Sequence, residues 1–180
     1  VVAIMSSARY TDVHDLLTAC GAMRDDVQRD KPIVVLLDRI QDPFNFGAII
    51  RSAVAAGARG VIIPDREAAP LNASAIKASA GAAMQIPVAR TANMLQLIDE
   101  MKERGYWVVG SDGAAEESVW DMDFDRPLAI VIGNEEKGMR AAVAKACDFT
   151  VKIPMNGPIE SLNASVAAGI ILFAAAKNRF

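Results

Sequence analysis

The stretch Ile153-Pro154-Met155-Asn156-Gly157-Pro158-Ile159-Glu160-Ser161-Leu162-Asn163-Ala164-Ser165 decides how this chain is interpreted, because it joins a short strand to a long apolar helix. The strand ends at Ile153–Met155, and the helix is predicted over Leu162–Lys177. Two polar residues, Ser161 and Asn163, open this helix. Ser161 could be a simple N-cap, but capping does not account for Asn163 as well. The two side chains therefore predict a functional site in this loop.

Two earlier segments show the same arrangement of an apolar strand followed by polar groups. Asp42–Ala53 contains Asn45-x-Gly47 and Arg51, and Ile132–Met139 contains a glycine followed by amide and acidic side chains. In parallel sheets, ligands bind beyond the carboxyl ends of the strands. The three loops are therefore predicted to converge on one site.

Each of these segments also has a simpler interpretation. Asn45 and Gly47 could be a helix cap and a tightly packed glycine, and Arg51 could form a surface salt bridge. Alternatively, the guanidinium of Arg51 could hold a phosphate or a sugar oxygen near the same strand ends. Gly133 could belong to an ordinary turn, and Glu135 could lie in the solvated start of a helix. Taken alone, none of the three segments identifies a function.

Strand-like apolar runs alternate with helix-like windows along the chain, and continuous apolar runs are typical of strands covered on both faces. The window Met94–Met101 repeats apolar residues at helical spacing, and Gly105 follows where a C-terminal cap belongs. The predicted strands are Ile33–Leu37, Gly60–Ile63, Gln85–Ala89, Tyr106–Gly110, Leu128–Ile132 and Phe149–Ile153. The further predicted helices are Asn45–Ala56, Asn72–Ala80, Lys137–Ala146 and Leu162–Lys177. This order predicts an α/β fold with a mostly parallel sheet flanked by helices.

Composition restricts the chemistry that the chain can perform. Its 180 residues carry a net charge of −3, which argues against a surface that binds nucleic acid nonspecifically, so an RNA substrate would need local basic groups or another domain. The only histidine is His14, which excludes zinc protease and Ser-His-Asp schemes. Cys20 and Cys147 match no metal-ligand spacing and are interpreted as reduced, inert thiols of a cytoplasmic protein. We expect no metal and, because the longest apolar run is Ala164–Ala176, no membrane crossing.

Nucleotide-phosphate motifs are missing. The dinucleotide fingerprint G-x-G-x-x-G does not occur, and Gly133 and Gly138 have the spacing of a phosphate loop but are followed by Met139. An oxidoreductase that uses a nucleotide cofactor would therefore rest on the alternating α/β pattern alone.

The start of the chain is mixed and charged. Asp25–Pro32 is predicted to be a linker that ends at the proline, so that the domain proper begins at Ile33. The predicted division is a linker and remnant of an N-terminal RNA-binding domain over residues 1–31, followed by a catalytic domain over residues 32–180. The first residues do not resemble a signal peptide.

Together, three ordered motifs resemble those of the SpoU (TrmH) family of RNA 2′-O-ribose methyltransferases. They are Asn45-x-Gly47-x-x-x-Arg51, Gly133-x-Glu135-x-Lys137-Gly138, and Ile153-Pro154-Met155 with Ser161-Leu162-Asn163-x-Ser165. The resemblance implies the SPOUT fold, in which the C-terminal segment forms a deep trefoil knot that holds S-adenosylmethionine. It also implies a homodimer with the site near the interface, RNA as the substrate and no metal. General rules of chain topology would have predicted an unknotted sheet.

The resemblance also implies roles for particular residues. Those matching the family's catalytic positions are Asn45, Arg51, Glu135, Ser161 and Asn163. Those expected to line the cofactor are Ser111, Gly133, Asn134, Glu135, Ile153, Met155 and Leu162.

The implied reaction is attack of a ribose 2′-oxygen on the methyl group of a sulfonium, so positioning and proton removal supply the acceleration. In the family, Arg51 would act as the general base with help from Ser161 or a substrate phosphate, although guanidinium groups normally stay protonated. The alternative is that Arg51 stabilises the developing alkoxide while the proton leaves to water or Ser161.

The segment Val2–Leu17 resembles the exit from a small ribosomal-protein-like RNA-binding domain. That domain precedes the catalytic domain in the branch that methylates a guanosine of 23S ribosomal RNA. Methylation of a guanosine ribose in transfer RNA is the nearest alternative. A catalytically inactive RNA-binding or ribosome-assembly module is a second alternative, against which the intact Arg51, Glu135 and Asn163 argue.

Overall fold

The structure, a computed structural model, describes residues 9–159 and 161–179 and centres on one parallel β-sheet. Its seven strands are β1 (Ile33–Asp38), β2 (Gly60–Pro64), β3 (Val88–Thr91), β4 (Trp107–Ser111), β5 (Glu117–Ser118), β6 (Leu128–Gly133) and β7 (Phe149–Lys152). They lie in the order β3-β2-β1-β6-β4-β7-β5, and every pairing is parallel. The carboxyl ends of all strands therefore meet at one edge of the sheet.

Among the described residues, seven α-helices and a short 3-10 segment at Ala82–Met84 surround the sheet. The helices are α1 (Val13–Cys20), α2 (Arg24–Asp30), α3 (Pro43–Ala55), α4 (Ala73–Ala78), α5 (Met94–Glu103), α6 (Ala141–Ala146) and α7 (Ala164–Ala176). Within the part of the chain that the structure describes, none of the helices has both the length and the hydropathy that a membrane crossing requires.

Alternating side chains of the strands feed two hydrophobic cores, one on each face of the sheet. On β1, Val35 and Leu37 pack with α3, α4 and α7, whereas Val34 and Leu36 pack with α1, α2, α5 and α6. All six residues of β1 are buried. Burial on both faces explains why these strands are continuous apolar runs rather than alternating patterns.

Helix α3 begins at the carboxyl end of β1 because Asp42 caps it. The Asp42 carboxylate accepts hydrogen bonds from the backbone N–H groups of Phe44 (3.3 Å) and Asn45 (3.0 Å), and Pro43 occupies the first turn. Asn45 is therefore not the cap that one simpler interpretation made it. The close packing of Gly47 is confirmed, because a Cβ at that position would lie 2.3 Å from the carbonyl oxygen of Ala75 in α4.

The predicted mostly parallel α/β sheet flanked by helices is confirmed, with local differences. The predicted strand Gln85–Ala89 starts late, at Val88, and the predicted helix Lys137–Ala146 starts at Ala141 because a tight turn precedes it. The two-residue β5 carries no apolar run and was missed. The deep trefoil knot stays a prediction.

The predicted linker Asp25–Pro32 is wrong in its local structure, because the structure places helix α2 there. Val27 of α2 packs into the same core as Leu16 and Leu17 of α1, and these three side chains are at most 1% exposed. Both helices therefore share the core of the sheet. The resemblance that begins at Val2 rests partly on residues outside those described.

Candidate active site

A cleft of about 180 Å³ opens at the carboxyl ends of β4, β6 and β7. Its walls are Ser111, Asp112, Gly113, Ile132, Gly133, Asn134, Glu135, Gly138, Ile153, Met155, Ser161, Leu162, Ala164 and Ala167. All seven residues predicted to line the cofactor are among them. The predicted convergence of the second and third motifs is thus seen in the structure.

The turn that follows β6 forms one wall of this cleft. Asn134 and Gly138 exchange backbone hydrogen bonds (3.2 and 2.8 Å), and the Asn134 side-chain oxygen accepts from the backbone N–H groups of Glu136 (2.9 Å) and Lys137 (3.2 Å). A Cβ at Gly133 would lie 2.3 Å from the backbone nitrogen of Met139, so only glycine fits there. The wall is therefore fixed by its own backbone before any ligand binds.

Asp38, the last residue of β1, and Arg39, which follows it, hold the segment from Asn134 to Arg140 at its two ends. Asn134 donates a side-chain hydrogen bond to the carbonyl oxygen of Arg39 (3.3 Å). At the other end, the fully buried carboxylate of Asp38 accepts hydrogen bonds from the backbone N–H (2.7 Å) and Nε (2.8 Å) of Arg140, and its Nη2 lies 2.8 Å away. A buried carboxylate with several charged hydrogen bonds is a strong anchor.

A chain of hydrogen bonds joins the three motifs at the mouth of the cleft. Asn163 Nδ2 donates to Asn45 Oδ1 (2.9 Å), and Asn45 Nδ2 donates to Glu135 Oε1 (3.4 Å). Asn45 is 8% exposed, so its amide is fixed mainly by these two partners. The direction of the donors leaves the Glu135 carboxylate as the acceptor that ends the chain.

Asn163 also caps α7, and this overturns the simpler interpretation of Ser161. The side-chain oxygen of Asn163 accepts from the backbone N–H groups of Ser165 (2.9 Å) and Val166 (3.4 Å) and from the Ser165 hydroxyl (2.6 Å). Ser161 is not the cap. It is exposed, lies in the wall of the cleft, and its hydroxyl remains available for a ligand.

Arg51 lies apart from the cleft in the described chain. It follows Asn45 by six residues on α3, about 9 Å farther along the helix axis, and is exposed. The surface salt bridge considered for it is not formed with any described residue. The predicted catalytic role of Arg51 stays a prediction, and so do the roles of the other four catalytic candidates.

The cleft combines apolar surface with negative charge. Ile132, Ile153 and Leu162 offer apolar contacts, while the carboxylates of Asp112 and Glu135 border the same space. A ligand with a flat ring and a cationic centre fits this combination, since apolar walls bury the ring and carboxylates attract the cation. Within residues 9–159 and 161–179, no group of three or more His, Cys, Asp or Glu side chains is placed to hold a metal.

Several residues of the site were missed from the sequence. They are Asp112, Gly113, Ile132, Gly138, Ala164 and Ala167 in the cleft, and Asp38 and Arg140 beside it. The sequence held one signal of the buried ion pair, since Asp38 is a charged residue at the end of the apolar run of β1. Such a residue is almost never fully buried unless it is paired.

Both cysteines are free thiols, as predicted. Burial raises the pKa of the Cys147 thiol to about 12, and burial also raises the pKa of Cys20. A raised pKa keeps the thiol protonated and unreactive at neutral pH. Neither cysteine lines the cleft.

Comparison with known proteins identifies the family of the chain. The profile of the SpoU rRNA Methylase family matches residues 32–173. YacO of Bacillus subtilis, whose name places it in the TrmH family of tRNA/rRNA methyltransferases, is 45% identical over 179 residues, covering 99% of this chain and 70% of that protein. The 23S rRNA (guanosine-2′-O-)-methyltransferase RlmB of Photobacterium profundum is 40% identical over 179 residues, covering 99% of this chain and 71% of that protein.

A solved structure supports the same family assignment. The SpoU methyltransferase AviRb from Streptomyces viridochromogenes, in complex with AdoMet, superposes with a TM-score of 0.77 at 37% identity, covering 83% of this chain and 61% of that one. The chain therefore has the fold of the SPOUT methyltransferases and spans about 60–70% of the length of these relatives.

This chain belongs to the SpoU (TrmH) family of RNA methyltransferases, which use S-adenosylmethionine. The predicted family, the enzyme class of RNA methyltransferase and the cofactor S-adenosylmethionine are confirmed. The alternative of a nucleotide-dependent oxidoreductase is wrong.

Proposed function

We propose that this chain is the catalytic part of an enzyme that methylates the ribose 2′-oxygen of a guanosine in 23S ribosomal RNA, with S-adenosylmethionine as the methyl donor. The observation that carries the proposal is the hydrogen-bond chain from Asn163 through Asn45 to Glu135 at the mouth of the cleft. It links one residue of each family motif around one cavity.

The residues of the cleft suit the methyl donor. Ile132, Ile153 and Leu162 would hold the adenine between apolar side chains, while the carboxylates of Asp112 and Glu135 would attract the positive charges of the methionine part. When bound, the donor supplies an electrophilic methyl group on a sulfonium. The wall around Gly133 is already formed, so little conformational freedom is lost on binding.

The reaction forms a bond between the ribose 2′-oxygen and the methyl carbon, breaks the bond from sulfur to that carbon, and releases the hydroxyl proton. Asn45 and Asn163 position Glu135, and the exposed hydroxyl of Ser161 borders the same cavity. We propose that Arg51 stabilises the developing negative charge on the 2′-oxygen and that the proton leaves to Ser161 or to water. The proposal that Arg51 is itself the base remains the alternative.

A pH–rate profile of the Ser161→Ala variant separates these routes for the proton. If Ser161 carries the proton, its loss lowers the rate and shifts or removes the limb of the profile that the wild type shows. If the profile keeps its shape, the hydroxyl of Ser161 is not on the path. Binding of S-adenosylmethionine, measured by calorimetry, serves as the control for an intact cleft.

The choice of RNA rests on the names of relatives. The RlmB protein that is 40% identical supports a guanosine of 23S ribosomal RNA. The name of YacO includes both transfer RNA and ribosomal RNA, so a guanosine ribose in transfer RNA is the second candidate. The third candidate is that the chain is a catalytically inactive module that binds RNA or assists ribosome assembly.

We also propose a homodimer. Phe44 at the start of α3 is 63% exposed, and Val166 in the first turn of α7 is 50% exposed. These two helices pack against each other, so apolar side chains protrude from both members of one helix pair. Exposed apolar surface of this kind is typical of subunit interfaces. A dimer could bring the exposed Arg51 of one subunit to the cleft of the other.

The division into residues 1–31, a linker and remnant of an RNA-binding domain, and residues 32–180, the catalytic domain, remains part of the proposal, as does a cytoplasmic location. Helices α1 and α2 of the first segment pack on the sheet of the second, so the boundary is one of sequence family and not of the hydrophobic core. The family profile starts at residue 32, which supports the boundary.

The test is a methylation assay with radiolabelled S-adenosylmethionine. The acceptors are unmodified 23S ribosomal RNA and unmodified transfer RNA, and methylated riboses are mapped by their resistance to alkaline hydrolysis. Label at one guanosine of 23S RNA is the expected result. Label only in transfer RNA selects the second candidate, and cofactor binding without transfer to either RNA selects the inactive module.

A further inference from the structure

A second cleft, of about 480 Å³, opens at the same edge of the sheet beyond the carboxyl ends of β2 and β3. It lies between the starts of α5 and α6. We call it the arginine cleft, and its charged lining residues are Asp65, Arg66, Glu67 and Arg140. It shares no residue with the cleft lined by Ser111, Gly133 and Leu162, which we call the methyl-donor cleft.

Two of its four charged groups are already engaged. Asp65 pairs with Arg90, whose Nε lies 3.2 Å from Oδ1 and whose Nη2 donates to the Asp65 carbonyl oxygen (2.7 Å). Arg140 uses Nε and Nη2 on the buried carboxylate of Asp38, but its side chain remains 40% exposed. The Nη1 group of Arg140 therefore stays available to a ligand.

The other two charged groups, Arg66 and Glu67, are exposed and have no ion pair within residues 9–159 and 161–179. Arg66 and the free edge of Arg140 provide N–H donors at one cavity, and a guanidinium binds a phosphate in fixed geometry. Glu67 opposes an anion there, so it weakens the site rather than creating it. Removing the charge of Arg66 should therefore weaken the binding of an anionic ligand, whereas removing the charge of Glu67 should strengthen it.

Arg140 connects the arginine cleft to the methyl-donor cleft. It follows the turn that forms the wall of the methyl-donor cleft, and it bonds to Asp38 at the end of β1, the strand that lies between the two clefts. The centres of the two clefts are three to four strands apart, roughly 17 Å at about 4.8 Å per strand. A single RNA strand laid along this edge would reach both within a few nucleotides.

We propose that the arginine cleft binds a backbone phosphate of the RNA substrate between Arg66 and the free edge of Arg140, a few nucleotides from the ribose that is methylated. This rests on the proposed function. It also supplies the local cationic contact that an acidic chain needs for RNA, because phosphate contacts dominate the affinity of proteins for nucleic acids.

The test measures binding of a fluorescein-labelled, single-stranded oligoribonucleotide of mixed sequence by anisotropy at several salt concentrations. Arg66→Gln should weaken binding about threefold to tenfold. It should also make the dependence of log affinity on log salt shallower by about 0.7, the value for one phosphate contact on a single strand. Arg66→Lys keeps the charge, so it should keep the salt dependence while losing part of the affinity.

Glu67→Gln should strengthen binding, because it removes the opposing charge. The matched control is Arg59→Gln, since Arg59 is an exposed arginine without an ion pair among the described residues and lies at the amino end of β2. It should leave the affinity unchanged. In all variants the affinity for S-adenosylmethionine should equal that of the wild type, because neither Arg66 nor Glu67 touches the methyl-donor cleft.

The outcomes separate this inference from the proposed function. Methylation of RNA by the wild type together with unchanged RNA affinity in both Arg66→Gln and Glu67→Gln overturns the phosphate site and leaves the function standing. Equal losses in Arg66→Gln and Arg59→Gln also overturn it, because they indicate a general charge effect. The predicted binding changes without methylation of any RNA would instead overturn the function and leave the site.

Discussion

Asn163 donates a hydrogen bond of 2.9 Å to Asn45, a residue 118 positions earlier in the chain, while its own oxygen caps α7. One side chain thus fixes both the start of the last helix and the orientation of a buried amide. That amide in turn donates to Glu135. The stability of α7 and the geometry of the site are therefore tied to the same residue.

Two substitutions of Asn163 separate these roles. Asn163→Ala removes both and should lower the free energy of unfolding by about 2–4 kcal/mol, of which about 1 kcal/mol is the lost cap and the rest the unpaired oxygen of the buried Asn45. Asn163→Asp keeps a capping oxygen but sets a carboxylate oxygen against the Asn45 oxygen, so its free energy of unfolding should fall by about 1–3 kcal/mol. Both should slow methyl transfer about tenfold to a hundredfold. Full activity in Asn163→Asp, measured by single-turnover methylation, would show that the donor is not needed.

The buried pair of Asp38 and Arg140 predicts a coupled loss of stability and cofactor affinity. Asp38→Asn leaves the Arg140 guanidinium without its charged partner, which should lower the free energy of unfolding by about 3 kcal/mol. It should also weaken binding of S-adenosylmethionine, because the turn loses one of its anchors. Urea unfolding and calorimetry measure the two effects. The control is Asp125→Asn, which breaks an exposed pair with Lys31 and should cost about 0.5 kcal/mol or less.

Gly133→Ala tests the wall of the methyl-donor cleft. The added Cβ would lie 2.3–2.4 Å from backbone atoms of Met139 and Gly138, so the turn must shift. We expect at least about tenfold weaker binding of S-adenosylmethionine and a loss of about 1–3 kcal/mol in unfolding free energy. Gly157→Ala is the matched control, because a Cβ there would meet no heavy atom of the described residues within 4 Å. Equal cofactor affinities in the two variants would contradict the described wall.

Arg51→Gln should change the reaction without changing the fold. Arg51 is exposed and forms no ion pair with the described residues, so the melting temperature should match that of the wild type. If Arg51 stabilises the developing charge, the rate of methyl transfer should fall about a hundredfold or more while the affinity for S-adenosylmethionine is kept. Arg59→Gln, at another exposed arginine, should leave both quantities unchanged. A small loss of rate in Arg51→Gln would remove this residue from the proposed mechanism.

The two thiols should resist alkylation in the folded protein. With a pKa of about 12, the Cys147 thiol carries about one thiolate in ten thousand molecules at pH 8, and the reactive fraction rises only as the pH approaches that value. Burial acts in the same direction on Cys20. Iodoacetamide labelling followed by mass spectrometry should therefore modify neither residue rapidly at pH 8. Both should react at once in urea, and fast labelling of native protein would contradict this burial.

The sequence was sufficient to predict the central strands because they are buried on both faces. The runs at β1 and β6 are continuous and apolar, and the structure pairs them residue for residue from Ile33 with Leu128 to Asp38 with Gly133. Toward the edges the signal weakens. Glu117–Ser118 forms β5 without any apolar run, and its pairing depends on its neighbour β7 rather than on its own composition.

The caps of α3 and α7 show where sequence reasoning reached its limit. Asp42 and Asn45 both precede apolar residues, as do Ser161 and Asn163, so the residue type alone does not reveal which of them begins the helix. The structure selects Asp42 and Asn163. Asn45 and Ser161 do not cap a helix. Asn45 instead hydrogen-bonds to Glu135, and Ser161 lines the methyl-donor cleft.

The pairing of Asp38 with Arg140 could not be predicted, because 102 residues separate them and the sequence around neither residue indicates its partner. The lining residues of the methyl-donor cleft were accessible through family motifs instead. Physical patterns placed the loops at one edge of the sheet, while the resemblance assigned residues to the cofactor. The role of Arg51 came from the resemblance alone, because this exposed residue forms no ion pair with the described residues.

The two borders of the sheet are closed in different ways. Along β3, Thr11 donates its backbone N–H to the carbonyl oxygen of Val88 (2.8 Å) and bridges Ala89, while the guanidinium of Arg90 covers the ring of Tyr10. At the opposite border, β5 is only two residues long. Unpaired borders invite strands of other molecules and so promote aggregation. With one border capped by its own polypeptide and the other too short to act as a template, this domain is protected against fibril-like self-association at high concentration.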